Sequence, residues 1–181
     1  MIVFFGPVGA GKSVQGQMLA DRLGWRWLST GQIFRRSTDP EMIEFLKTGK
    51  LVSDEMTIRI VGEAFETDDD SNTIILDGFP RMIDQAKWLV ETRKKYGHDI
   101  DLIVAIDVPK DELVRRLSAR GRDDDAADVL DERLNIYTRD TQPILSYLEE
   151  QGVAVVHIDG VGEINDIHER IFRAVTEHGI A

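Results

Sequence analysis

The sequence predicts a three-layer α/β fold in which a five-stranded parallel sheet carries helices on both faces. Five short apolar runs, rich in β-branched and aromatic residues, are too short for helices, and segments of helical periodicity separate them. Strands that alternate with helices are joined by right-handed crossovers, and strands buried on both faces are almost continuously apolar. The predicted strands lie at 2–5, 25–28, 73–76, 102–106 and 153–158.

Helical periodicity fills most of the intervals between the predicted strands. Apolar residues three and four apart share one helical face and pack on the sheet. A longer helix at 130–148 is expected to bend near Pro143, because proline lacks a backbone N–H and clashes with the preceding turn. The other apolar faces lie within residues 14–23, 83–90, 113–117 and 164–175.

Two stretches depart from the simple alternation. Residues 30–67 contain no strand-like run and consist of helical pieces at 31–36, 40–46 and 54–65. We therefore expect a single domain over residues 1–181, with a helical insertion at about 30–60 and a short polar lid at about 120–126. Ligands of open α/β sheets bind beyond the carboxyl ends of the strands, where such an insertion could close over them.

Composition excludes several classes of function. The chain has 22 Lys and Arg against 33 Asp and Glu, a net charge of −11, which argues against binding a nucleic-acid polymer. It has no cysteine, which excludes disulfides, thiol nucleophiles and cysteine-held zinc. No apolar run reaches the roughly 20 residues of a membrane span, and no signal peptide precedes the first strand. We expect a cytoplasmic protein.

The strongest motif is a glycine-rich loop between the first strand and the first helix. Residues 6–13 read GPVGAGKS and satisfy the pattern G-x4-G-K-[ST] in the strand-to-helix context that this pattern requires. Its glycines let backbone N–H groups converge on phosphate oxygens, and the helix N-terminus adds partial positive charge. Lys12 is expected to reach the β and γ phosphates, and the Ser13 hydroxyl to ligate Mg²⁺.

A second motif, Asp77-Gly78-Phe79-Pro80-Arg81, directly follows the third predicted strand. A carboxylate at the end of a strand near a phosphate loop can orient the water molecules around Mg²⁺. Arg81 would then point a bidentate cation into the same cleft. The alternative interpretation is that Asp77 caps the helix that starts near Met82.

Arginines recur near the predicted lid. Arg116 and Arg120 lie four residues apart on one helical face, and Arg122 and Arg133 follow. A solvated, salt-bridged face is the ordinary explanation of such a run, but arginine also suits the bidentate grip of phosphate. One phosphate loop with several converging arginines indicates transfer between two phosphate-bearing substrates, because a phosphate is already an anionic nucleophile.

With these motifs, the sequence resembles the adenylate kinase family of nucleoside monophosphate kinases over nearly the whole chain. The resemblance implies a P-loop kinase fold, a nucleotide-binding insertion, and Mg²⁺-dependent transfer from ATP to AMP by a monomer without zinc. Further motifs that carry it are Ser29-Thr30-Gly31 with Arg35, GKLVSDE at 49–55, Gln85, Ile106-Asp107-Val108-Pro109 and Pro143.

The resemblance also implies roles for individual residues. Gln85 is a natural partner for an adenine edge, since its amide both donates and accepts. The residues expected to contact ATP are Gly9, Ala10, Gly11, Lys12, Ser13, Val14, Arg116, Arg120 and Gly162. Those expected to contact AMP are Thr30, Arg35, Lys50, Leu51, Val52, Gly78, Phe79, Arg81, Gln85, Arg122 and Arg133. The expected catalytic residues are Lys12, Arg81, Arg120, Arg122 and Arg133, and the expected Mg²⁺ residues are Ser13 and Asp77, partly through water.

The chain departs from the family pattern at a few positions. The loop reads Lys12-Ser13-Val14 where Lys-Gly-Thr is usual, so the hydroxyl has moved by one residue. Gln32 replaces a usual aspartate, which leaves Asp77 with more of the metal's coordination. The lid is reduced to residues around Gly121.

Two alternatives to an ATP:AMP kinase stay open on the sequence. The first is a kinase for UMP, CMP or another nucleoside monophosphate. The second belongs to a different class: a nucleotide-binding sensor that has lost phosphoryl transfer. The moved hydroxyl, Gln32 and the short lid motivate the second, whereas the set of arginines argues against it.

Overall fold

A computed structural model describes residues 1–37, 43, 52–66, 73–95, 99–121 and 127–181. The strands are β1 (Ile2–Phe5), β2 (Arg26–Ser29), β3 (Ile74–Asp77), β4 (Leu102–Asp107) and β5 (Val155–Asp159). The helices are α1 (Lys12–Leu23), α2 (Thr30–Arg36), α3 (Asp54–Glu66), α4 (Ile83–Lys95), α5 (Lys110–Arg120), α6 (Ala127–Ile136), α7 (Pro143–Glu150) and α8 (Ile164–Glu177).

The five strands form one parallel sheet in the order β2-β3-β1-β4-β5, which confirms the predicted sheet. Both ends of β1 and the start of β4 lie as predicted, and the other strand ends are shifted by one or two residues. The largest shift is at the start of β5, which begins at Val155 instead of at residue 153. The N–H of Val153 donates to the carbonyl of Leu148 at 3.1 Å, so this residue belongs to the connection that follows α7.

Helices cover both faces of the sheet, as the apolar strands predict. Val3 and Phe5 of β1 point into one apolar cluster, which contains buried residues of α3, α4 and α7. Ile2 and Phe4 point to the opposite face, into a cluster with buried residues of α1, α5 and α8. Alternation along a strand therefore supplies both halves of the core.

The described helices are short. The longest, α8, has 14 residues, and α3 and α4 have 13 each. Across the described part of the chain, no helix has the length and apolar character needed to cross a lipid bilayer.

The strand order places a switch point at β1. The chain passes from β1 to β2 and β3 on one side of the sheet, and then crosses to β4 and β5 on the other. The carboxyl ends of β3 and β4 therefore flank the segment that follows β1, where open α/β sheets bind ligands. In register, Phe4 pairs with Asp77 and with Val104, so Asp77 ends β3 beside the loop that begins at Gly6.

Near Pro143, where the sequence predicts a bend in one long helix, the structure has two helices joined by a π-helical turn. A π-helical turn, Tyr137–Thr141, separates α6 from α7, and the N–H of Gln142 donates to the carbonyl of Tyr137, five residues back, at 2.8 Å. Pro143 then occupies the first turn of α7, where a missing N–H costs little.

The insertion between β2 and β3 is helical where it is described, at α2 and α3. Trp88 of α4 anchors α3: its ring stacks on Phe65 with centroids 6.2 Å apart and meets Phe79 edge-on at 5.9 Å. Apart from residue 43, the predicted helix at 40–46 lies outside the described residues.

Alanine substitutions at two glycines test this packing, because we expect them to change the free energy of unfolding in opposite directions. A Cβ at Gly160, after β5, would lie 2.5 Å from a methyl of Ile106 and 2.6 Å from one of Val108, whereas a Cβ at Gly62 in α3 would make an ordinary contact with Trp88 at 3.6 Å. We expect Gly160→Ala to lower the free energy of unfolding by about 1–3 kcal/mol through overpacking. Gly62→Ala should raise it by about 0.5–1 kcal/mol through helix propensity. Urea denaturation measures both, and equal effects would contradict the packing at Gly160.

Candidate active site

A cleft of about 540 Å³ opens at the carboxyl ends of the strands. Its walls come from the loop after β1, the segment after β3, α5, α6 and the loop after β5. Fifteen of the residues predicted for the site line it: Gly9, Ala10, Gly11, Lys12, Ser13, Val14, Arg35, Asp77, Gly78, Phe79, Arg81, Arg116, Arg120, Arg133 and Gly162.

The phosphate loop is shaped by glycines in backbone conformations that other residues rarely adopt. Gly6 has φ 144°, and a Cβ there would lie 2.8 Å from the carbonyl oxygen of Ile106 in β4. Gly9 has φ 85°, and a Cβ there would lie 3.0 Å from Leu117 of α5. The loop is thus pressed between β4 and α5, and it delivers the chain into α1 with the helix N-terminus facing the cleft.

Lys12 folds back over the loop. Its Nζ donates to the carbonyl of Gly6 at 2.7 Å and to that of Pro7 at 2.8 Å. Burial lowers the pKa of Lys12 from 10.5 to about 8; Asp77 opposes this shift, and the nearby charges of Arg81, Arg133 and Arg120 add to it. These cations therefore surround Lys12 closely enough to repel it.

The side-chain carboxylate of Asp77 connects α1 and β2 through hydrogen bonds at the cleft. Its side chain is 3% exposed, and its Oδ2 accepts from the Ser13 hydroxyl at 2.6 Å and from the Ser29 hydroxyl at 3.1 Å. Because α4 begins at Ile83, well past Asp77, the alternative interpretation of Asp77 as a helix cap is wrong.

The donor atoms at Ser13 and Asp77 fit a hard divalent cation. Both are oxygens, and they adjoin the phosphate loop at 2.6 Å from each other. Within the described residues, no three His, Asp or Glu side chains are grouped so that they could hold a metal ion. This set therefore suits Mg²⁺ held by one or two protein ligands together with phosphate oxygens, rather than a cage made entirely by protein.

Arg81 is a second, partly buried cation of the cleft. Its Nε donates to the carbonyl of Gly78 at 2.8 Å, which turns the guanidinium back toward the strand end. The pKa of Arg81 is lowered to about 10, mainly by burial and also by repulsion from Arg133 and Arg35, while Asp77 opposes this shift. A buried cluster of like charges of this kind is stabilised by a polyanion.

Comparison with known proteins identifies the family that shares this site. The family model for adenylate kinase matches residues 4–153. The chain belongs to the adenylate kinase family. The adenylate kinase of Nocardia farcinica is 36% identical over 180 residues, which are 96% of this chain and 98% of that protein. Those of Mycolicibacterium paratuberculosis and Mycobacterium tuberculosis are 38% and 36% identical over the same shares of the chains.

Membership in the adenylate kinase family makes this protein an ATP-dependent nucleoside monophosphate kinase with adenylate kinase function. The fold agrees, since a parallel five-stranded sheet with helices places a phosphate loop after its central strand.

Arg116, one of the residues expected on the ATP side, contacts the loop after β5. Arg116 donates from Nη2 to the carbonyl of Gly160 at 2.7 Å and from Nε to Glu112 at 2.7 Å. Arg170 of α8 donates to the carbonyls of Asp159 and Val161 at 2.7 and 2.8 Å. Two arginines thus fix this loop beside the cleft.

The residues expected on the AMP side divide into three groups. Arg35, Gly78, Phe79, Arg81 and Arg133 line the cleft. Thr30, Val52 and Gln85 do not line it, and they are 0%, 6% and 2% exposed. Lys50, Leu51 and Arg122 lie outside the described residues, as does most of the expected lid.

Several residues of the cleft wall are not among those predicted from the sequence, and the polar ones include Gln15, Tyr137 and Thr141. The Thr141 hydroxyl donates to the carbonyl of Arg81 at 3.0 Å, and burial raises the pKa of Tyr137 to about 12. Both belong to the π-helical turn, whose extra residue redirects side chains and which no apolar periodicity reveals. Gln15 carries a weak signal, since it is a polar residue within an apolar helical face.

The lowered pKa of Lys12 predicts a pH dependence of folding stability. Between pH 8 and 10.5 the unfolded chain binds more protons at Lys12 than the folded protein does, so the free energy of unfolding rises with pH over this range. Below pH 8 both states carry the charge, and the whole cost of burying it is present. Lys12→Met removes that cost. The stability of Lys12→Met relative to the wild type should be greatest below pH 8 and decline toward pH 10.5.

Urea denaturation of both proteins at a series of pH values measures this difference. Lys110→Met, which alters an exposed lysine at the start of α5, provides the baseline. A Lys12→Met difference that is flat from pH 7 to pH 10 would show that the buried charge is not costly.

Proposed function

We propose that this cleft transfers the γ-phosphoryl group of ATP to AMP, reversibly and with Mg²⁺, giving two ADP. The observation that supports it is the cluster of cations around Lys12: Arg81, Arg120 and Arg133 all act on its pKa from walls that belong to different parts of the chain. This concentration of positive charge suits the triphosphate chain of one nucleotide that meets the phosphate group of a second.

The transfer needs positioning and charge neutralisation rather than a protein base. An oxygen of the AMP phosphate is already anionic, so it attacks the γ phosphorus without giving up a proton. The new P–O bond forms as the bond to the β–γ bridging oxygen breaks, and ADP leaves with that electron pair. Lys12, Arg81 and Arg133 would stabilise the charge that spreads over the transferring oxygens.

The predicted contacts fit two opposite walls. We propose that the phosphate loop at 9–14, together with Arg116, Arg120 and the loop at Gly162, holds ATP. The insertion at about 30–60 and the segment after β3 would hold AMP, through the residues named above, and the lid at about 120–126 would bring Arg122 to the phosphates. These elements form one domain over residues 1–181.

Mg²⁺ would be held by Ser13 directly and by Asp77 through water. When bound there, Mg²⁺ would neutralise negative charge on the phosphate groups. The Ser13 hydroxyl already lies at the phosphate loop with its proton directed to Asp77, which leaves its lone pairs available for a cation. The Ser13 hydroxyl, although it is displaced by one residue from the usual family pattern, would therefore still bind the metal.

We also propose that the protein acts as a cytoplasmic monomer. ATP and AMP are metabolites of the cytoplasm. One chain supplies cations to both walls of the cleft, so no second subunit is needed to complete it.

A panel of nucleoside monophosphates tests the proposed reaction. With ATP and Mg²⁺, we expect AMP to give the highest kcat/KM, because the Gln85 amide suits an adenine edge. The measurement is ADP production in a coupled assay, with AMP, GMP, UMP or CMP as the acceptor. Preference for a pyrimidine would replace AMP by another acceptor, and tight ATP binding without any transfer would instead indicate a sensor.

Asp77→Asn tests the proposed Mg²⁺ position. Loss of the carboxylate should raise the Mg²⁺ concentration for half-maximal activity by about 10–100-fold, as for other residues that act on a metal through water. Asp84→Asn, an exposed aspartate of α4 that pairs with Lys87, is the matched control. An unchanged Mg²⁺ dependence in Asp77→Asn would remove Asp77 from the metal site, and circular dichroism would confirm that both variants are folded.

A further inference from the structure

We propose that Asp54 is a specificity-determining residue, which fixes the orientation of the Gln85 amide so that the acceptor site admits a 6-amino purine and rejects a 6-oxo purine. The proposal rests on the proposed function, in which Gln85 contacts the base of the acceptor nucleotide. Asp54 itself would touch no substrate and would act as a positioning residue.

Two hydrogen bonds determine how the Gln85 amide is turned. Its Oε1 accepts from the backbone N–H of Arg81 at 2.8 Å, and its Nε2 donates to Oδ1 of Asp54 at 2.6 Å. A backbone N–H can only donate and a carboxylate can only accept, so the two partners together leave one orientation of the amide. The side chain is 2% exposed, so water cannot readily replace either partner.

Asp54 is not required as the cap of its own helix. Ser53 fills that position: its carbonyl accepts from Thr57 N–H at 3.0 Å, and its hydroxyl accepts from Met56 N–H at 3.4 Å. Asp54 lies in the first turn of α3 and directs its carboxylate to α4. A mutation there therefore changes the Gln85 contact more than it changes the helix end.

The oriented amide keeps one donor and one acceptor. An amide has two N–H groups and a carbonyl with two lone pairs, and among the described residues Gln85 uses one of each. Adenine presents a donor at its 6-amino group and an acceptor at N1. Hypoxanthine and guanine present the reverse, an acceptor at O6 and a donor at N1.

A reversed base edge requires a reversed amide. Turning Gln85 over would direct its carbonyl oxygen at the Asp54 carboxylate and its NH₂ group at the N–H of Arg81. Both hydrogen bonds would become repulsive contacts in a buried site, which is how polar sites reject the wrong partner. Of these two repulsive contacts, the one with the Asp54 carboxylate involves a full charge.

Asp54→Asn removes the part of the penalty that comes from Asp54, while it preserves shape. The asparagine amide can accept from Gln85 or, after turning, donate to it, so only the N–H of Arg81 still favours one orientation of Gln85. We expect kcat/KM for AMP to stay within about threefold of the wild type, and the ratio of kcat/KM for AMP to that for IMP to fall about tenfold. Asp54→Ala, which leaves the amide without this partner, should also raise KM for AMP about tenfold with kcat nearly unchanged.

Glu55→Gln is the matched control, because it makes the same change of charge in the same helical turn at an exposed position. It should leave the AMP-to-IMP ratio at the wild-type value. A ratio in Asp54→Asn equal to that of the wild type, or a fall of the same size in Glu55→Gln, would overturn the proposal. Urea denaturation of the three variants separates a loss of discrimination from a loss of folding.

A second measurement separates this proposal from the proposed function. Hydrogen exchange of the Gln85 side-chain NH₂ group, followed by NMR without substrate, should be about tenfold faster in Asp54→Ala than in the wild type. If the wild-type enzyme transfers nothing to AMP, the proposed function fails, and the exchange rates still decide whether Asp54 fixes the amide. Equal exchange rates would overturn the fixed orientation even in an active kinase.

Discussion

The repulsion among buried cations at the end of one parallel sheet is the constraint on which the rest of this structure depends. Lys12 and Arg81 are both partly buried, and the pKa of each is lowered from its ordinary value by burial and by the other cations of the cleft. Asp77, placed by the register of β3 against β1, offsets them. In the free protein these charges therefore lower the free energy of unfolding, and a bound polyphosphate removes this effect. Folding stability is linked to substrate binding in this way.

The surrounding fold holds these charges together. Gly6 and Gly9 press the phosphate loop between β4 and α5, while the π-helical turn binds the backbone of Arg81 through Thr141. The contacts of Gly6 and Gly9 and the hydrogen bond of Thr141 lie in different connections between strands. The cleft therefore forms only when the whole sheet is assembled. The net charge of −11 is compatible with a phosphate-binding cleft because the cations are concentrated there and the acidic residues are distributed elsewhere.

The side of the site proposed to receive the acceptor base is organised by neutral and anionic groups around Gln85. Gln85 lies between the N–H of Arg81 and the carboxylate of Asp54, so the residue that is expected to contact the base is connected to the arginine that is expected to contact its phosphate. Base recognition and phosphate binding would then be coupled through one short hydrogen-bonded chain. This connection joins α3 of the insertion to α4 of the central fold.

Local pattern alone determined the strands, the phosphate loop, the helical insertion and the irregularity near Pro143, because each depends on residues close in sequence: apolar runs, glycine spacing, a missing N–H. Family resemblance then supplied the candidate residues on both walls. Only the tertiary structure decided that Ser13 and Ser29 meet at Asp77, that Gln85 is held by Asp54, and that Tyr137 and Thr141 face the cleft. These contacts join residues far apart in the chain. Their geometry is fixed by strand register and helix packing, which periodicity does not encode.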